Sequence, residues 1–141
     1  MSWNLPSKGR PNCQQPPSVL YTIKEVHGYQ KQGSGYGYSG VRGLNALIGT
    51  VTTGEAAPVI VGSRLRKGAC GSPRGAGKFV ADILATVTRL RIQNPSGKVL
   101  LRADSAFYSH TVVTAAARAH ADVSITARMD PNVKRAIRND R

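Results

Sequence analysis

The stretch that most limits what this chain can become is Lys98 to Tyr108, KVLLRADSAFY. Val99, Leu100 and Leu101 form an apolar run without alternation, preceded by a Pro-Ser-Gly turn signal and followed by a polar Asp-Ser step. A run of this kind reads as a strand buried on both faces. Such strands belong to parallel or mixed sheets covered by helices, and the loops at their carboxyl ends are where ligands and chemistry gather. Asp104 therefore stands where a functional site is expected.

Period and punctuation arrange the rest of the chain around that strand. Residues 1–18 are rich in Pro, Gln, Asn and Ser with no period of 2 or 3.6, and read as a mobile tail carrying an exposed Trp3; the folded part is 19–141. VLYTIKEV alternates as a first strand from Val19 to Val26, with Tyr21 and Ile23 competing for the inside. The loop HGYQKQGSGYGYSG reads as a wide hairpin leading to a second strand that starts at Tyr38 or Leu44 and reaches Thr53. After a turn at 54–58, PVIVGSRLR is a third strand, so the three form an antiparallel meander. A helix follows, with Ser72 as N-cap, Pro73 at its first position, and Phe79, Val80, Ile83, Leu84, Val87 and Leu90 on one face. Beyond the strand ending at Asp104, a helix over 109–120 turns Val112, Val113, Ala116 and Ala117 inward. Val123, Ile125 and Ala127 alternate as a strand, and Asp130-Pro131 caps a last helix bearing Val133 and Ile137. The fold class is α/β: a three-strand meander, then helix, strand, helix, strand, helix. The helical crossover makes the third and fourth strands run parallel if they share a sheet.

Charge narrows the partners. Twenty Lys and Arg against seven Asp and Glu give a net +13, which calls for a polyanion. Thirteen of the twenty are Arg, whose planar fork suits phosphate oxygens, so nucleic acid is favoured over a basic surface kept for solubility. Two clusters stand out: Arg64, Arg66 and Lys67 with Arg74 and Lys78 at the start of the first helix, and Lys134, Arg135, Arg138 and Arg141 at the last. Both are candidate DNA contacts, giving salt-sensitive binding with little sequence preference. No apolar run approaches a membrane span and the N-terminus has no signal-like stretch, so the expected location is cytoplasmic, without membrane contact. Cys13 and Cys70 lie far apart with no CxxC, and read as free thiols. Gly35, Gly37 and Gly40 fit G-x-G-x-x-G but follow no apolar strand, which makes a dinucleotide site a weak reading. Gly71 and Gly77 have five residues between them rather than four, and Phe79 replaces the hydroxyl of a phosphate loop, which excludes that motif.

The segment RADSAFY resembles the second-aspartate motif of bacterial insertion-sequence transposases of the DDE group. The likeness continues through TIKEVHGYQKQGSGYGYSGVRGLNALIGT, APVIVGSRLRKG and TARMDPNVKRAI, in order, from about Thr22 to the end. It implies an incomplete ribonuclease-H-like mixed sheet, DNA transposition as the process, magnesium as cofactor and a possible homo-oligomer. It also implies a first Asp on strand one, a second on strand four and a third acid on a later helix. Two-metal cleavage of phosphodiesters needs several converging carboxylates. Asp104 matches the second Asp as a catalytic and metal-ligating residue. Ser18, Val19, Leu20 and Tyr21 supply no first acid, Glu25 lies past the motif, and the third is expected beyond Arg141.

The remaining acids each have a structural reading. Asp122 starts a strand, Asp130 caps a helix, Asp140 is terminal, Glu55 lies in a turn and Asp82 is on the polar side of a helix. For Asp104 itself, an Asx-turn closing the strand competes with the metal-ligand role. His27, His110 and His120 form no constellation with a nucleophile. The leading expectation is a fragment of a transposase catalytic domain, inactive by itself. A small basic nucleic-acid-binding protein is the alternative, and an intact metal nuclease needs acids this sequence lacks.

Overall fold

Strict alternation in RGLNALIGTV builds the strand on which the fold is centred. In the structure, a computed structural model describing residues 18–28, 31–53, 56–71, 73–91, 97–127 and 129–139, this segment is β3, Arg42–Val51. Gly43, Asn45, Leu47 and Gly49 are buried on one face while their neighbours face outward. β1 (Ser18–Glu25) runs antiparallel along one edge of β3. Along the other edge lie β4 (Val59–Arg66) and the two-residue β2 (Gly35–Tyr36), both antiparallel. β5 (Leu100–Ala103) joins the free edge of β1 in parallel, and β6 (Asp122–Ile125) pairs parallel with β5. The six-stranded mixed sheet thus places the meander on one side and the two crossover strands on the other.

The alternating face of β3 is covered by α1, Ala76–Leu90, whose Phe79, Val80, Ile83, Leu84 and Val87 are all buried. Each such side chain contributes roughly 1.5–3 kcal/mol of burial before the entropy of ordering is subtracted. The helix lies so close to the sheet that a Cβ at Gly49 would overlap Ile83 Cδ1, which explains a glycine in a central strand. α2, His110–Arg118, packs beside α1 and adds Val112 and Ala116 to the same core, together with Leu101 and Phe107. α3, Pro131–Asn139, buries none of its residues. Its N-cap is Asp130, whose Oδ1 accepts the N–H groups of Asn132 and Val133 at 2.9 and 3.0 Å.

Several boundaries and orientations differ from expectation. The first strand begins at Ser18, one residue inside the expected tail; residues 1–17, with Trp3 and Cys13, lie outside the described residues, as do Glu55, Ser72, Asp140, Arg141 and the Tyr21 side chain. α1 starts at Ala76, not Pro73, because Gly75 at φ 73 breaks the helical path and 73–75 form a turn. Leu90 is exposed, since the last turn of α1 overshoots the sheet. On α2, Val112 and Ala116 point inward, while Val113 and Ala117 face outward. β6 ends at Ile125, before Ala127. Burial of β5 on both faces is not found: Leu101 is buried but Leu100, on the opposite face, is only partly so. Both packed helices cover one side of the sheet, and Leu20, Leu65 and Ile60 on β1 and β4 remain exposed. Among the described residues, no helix is long and apolar enough to cross a membrane.

Candidate nucleic-acid interface and the surroundings of Asp104

Asp104 leaves the carboxyl end of β5 in an extended conformation and caps a short 3-10 turn, Ser105–Phe107. Its Oδ1 accepts the Ala106 N–H at 2.6 Å, and Phe107, fully buried, anchors the turn in the core. The Asx-turn is therefore real, yet the carboxylate is exposed and its second oxygen is available to other partners. β1 runs parallel beside β5 with Val19 opposite Ala103, so one step further places Leu20 level with Asp104. Leu20 is 45% exposed and lies on the face away from the helices. An apolar side chain thus occupies the position nearest to Asp104 on the adjacent strand.

These residues do not fit a two-ion magnesium site. Such a site needs two or three converging carboxylates, and among the described residues the positions level with Asp104 are Leu20 on β1 and Thr126 just past β6, neither of them an acid. Among the described residues no three His, Cys, Asp or Glu side chains are grouped to hold a metal. Asp82 is drawn off to Arg64, Asp130 caps α3 and Asp122 stands at the far end of β6.

Alternation along β4 divides the first basic cluster. Arg64 and Arg66 pair with Leu47 and Asn45 of β3, so both point to the helix-covered face, whereas Leu65 between them faces out. Arg64 reaches α1, ion-pairing with Asp82 at 2.7 Å with its guanidinium 5.4 Å from the Phe79 ring centroid. Arg66 donates from Nε and Nη2 to Asn45 Oδ1 at 3.1 and 2.6 Å, and from Nη1 to the carbonyls of Gly71 and Arg74 at 3.3 and 2.7 Å. It clamps the turn before α1 to the sheet. Lys67, Arg74 and Lys78 are exposed, as are Lys134, Arg135 and Arg138 of α3.

A cleft of about 600 Å³ opens where the post-β4 turn, the glycine-tyrosine loop and the Asp104 turn converge. Asn45 lies at its inner end, 3% exposed, with Nδ2 donating to the Cys70 carbonyl at 3.4 Å. Sequence reasoning passed over Asn45, although a polar residue in step with the buried positions of β3 signals a structural partner in wait. It gave Tyr38 only as a possible strand start and Tyr108 only as the end of RADSAFY, whereas both border the cleft.

The chain matches no known protein family and no curated protein. Its fold is similar to solved structures. The catalytic domain of Mos1 mariner transposase superposes with a TM-score of 0.52 at 7% identity, over 90% of this chain and 60% of that one. The Mos1 mariner paired end complex with Mn gives a TM-score of 0.50 at 11% identity, over 85% of this chain and 38% of that one. The chain therefore spans less than two thirds of the length of these structures. The likeness gives the fold alone, an α/β ribonuclease-H-like mixed sheet, and this agrees with the strand order.

Proposed function

We propose that this chain is the amino-terminal part of a DDE-type insertion-sequence transposase catalytic domain, one that binds DNA and does not cleave it alone. The observation that carries the reading is the placement of Asp104. It sits at the carboxyl end of the crossover strand beside β1, the position that the resemblance of RADSAFY implies for the family's second aspartate, in a sheet of the matching order. The fold likeness supports the same process, DNA transposition, and the complex with Mn is a property of the Mos1 protein. Here a leucine stands level with Asp104 on the adjacent strand, which supports DNA binding without metal-dependent strand cleavage as the role of this chain.

DNA contact is assigned to Lys67, Arg74 and Lys78 beside the cleft and to Lys134, Arg135 and Arg138 on α3, with Arg64 and Arg66 acting mainly from within the fold. Phosphate contacts release counterions, so log affinity falls linearly with log salt, by about 0.9 for each phosphate neutralised on a duplex. Titration of a fluorescent duplex at several salt concentrations tests the proposal. A steep fall is expected. Salt-independent affinity would remove DNA as the partner, and a clear preference for RNA of the same sequence would favour a small nucleic-acid-binding protein outside transposition.

A further inference from the structure

Tyrosine presents an apolar ring with a polar tip, and two tyrosines stand at the margin of the cleft beside the Asp104 turn. Tyr38 is fully exposed and Tyr108 is 58% exposed. Part of the lining is glycine backbone, at Gly37, Gly68 and Gly71, with Ile23, Ala69 and Pro73 beside it. A Cβ at Gly37 would come within 2.7 Å of the Gly68 carbonyl oxygen, so the glycine-tyrosine loop and the post-β4 turn lie against each other. Ser39, Ser105 and Asp130 add polar groups to the lining. The volume is within the 300–1,000 Å³ typical of small-ligand sites. Lys67 and Arg74 are exposed at either end of the lining segment 68–73. A flat, partly polar ligand attached to a polyanion satisfies all of these at once.

We infer that the cleft receives an unpaired base of a DNA strand, stacked on Tyr38 and Tyr108, with the strand's phosphates held by the neighbouring Lys67 and Arg74. This rests on the DNA-binding reading above and adds to it a preference for bases outside a duplex. Stacking is tolerant of base identity because every base has a π-face, so little sequence preference is expected. Ser39 and Ser105 contribute hydroxyls to the same lining.

Fluorescence anisotropy on the full chain separates the two readings. The probes are a thymidine oligonucleotide of about a dozen residues, an abasic strand of equal length, and a duplex. The thymidine strand is expected to bind more tightly than the abasic one. Tyr38→Ala and Tyr108→Ala are each expected to weaken thymidine-strand binding between about fivefold and 150-fold, the range found for base-stacking aromatics. Tyr38→Phe retains the affinity, and Tyr36→Ala, exposed but away from the cleft, changes nothing. Duplex and abasic affinities stay unchanged in all four, and circular dichroism confirms that each is folded. Equal binding of thymidine and abasic strands, or indifference to both alanine variants, would overturn the stacking site while salt-dependent duplex binding kept the DNA reading. Displacement by thymidine monophosphate alone would assign the cleft to free nucleotides and overturn the strand. Failure to bind any of the three probes would overturn both readings.

Discussion

Replacing Arg66 separates the two roles that a cationic residue beside a proposed DNA surface can play. Its guanidinium donates two hydrogen bonds to Asn45 Oδ1 and others to the carbonyls of Gly71 and Arg74. In Arg66→Met the apolar stem is kept, but the Asn45 oxygen, 3% exposed, loses its donors. Hydrogen bonds to a charged group are worth about 1.5–3 kcal/mol net, and a buried acceptor left unsatisfied costs about 1–3 kcal/mol. These overlap, so a total of roughly 2–4 kcal/mol is expected rather than their sum. For a chain of this size that lowers Tm by roughly 6–14 °C. Thermal unfolding followed by circular dichroism reads the stability, and duplex titration below the transition reads the affinity. Arg66→Met is expected to lose stability with less than a twofold change in affinity, and Lys67→Ala to do the reverse. Unchanged Tm together with affinity lost to the extent seen in Lys67→Ala would make Arg66 a phosphate contact and refute the clamp.

Gly49→Ala forces a Cβ into Ile83 and pushes α1 off the sheet; urea unfolding is expected to show a loss of about 1–3 kcal/mol, the cost of overpacking. Phe107→Ala empties the anchor of the Asp104 turn, with an expected loss of about 3–5 kcal/mol in the same assay. The combined change Lys134→Ala, Arg135→Ala and Arg138→Ala is expected to lower the slope of log affinity against log salt by about 0.9 for each phosphate contact removed, leaving Tm almost unchanged because α3 buries nothing. Leu20→Asp puts a second carboxylate level with Asp104, and isothermal titration is expected to show Mn²⁺ binding that Asp104→Ala abolishes.

The sheet was largely legible because its strands are marked by period. β1, β3 and β4 fall within a few residues of the stretches where apolar and polar residues alternate, and the apolar run before Asp104 located β5. The start of α1 was not, because Pro73 also suits a turn and Gly75 takes a left-handed conformation that a sequence does not announce. The turn at Asp104 was legible through the polar step that ends its strand. Its basic surroundings were not, since Arg64, Arg66 and Lys67 are neighbours in sequence but alternation turns the two arginines to the helix face, where Asp82 and Asn45 hold them. The exposed face of the sheet was missed for a related reason. An apolar run says a strand can be covered on both sides, and only helices packed on it decide whether it is.

Incubation of supercoiled plasmid with the chain in Mg²⁺ or Mn²⁺ bears most directly on the central claim, that Asp104 with a leucine level with it on β1 does not support strand cleavage. The plasmid is expected to be bound and to remain supercoiled. Metal-dependent nicking that disappears in Asp104→Ala would show that this single aspartate suffices, and would contradict the account.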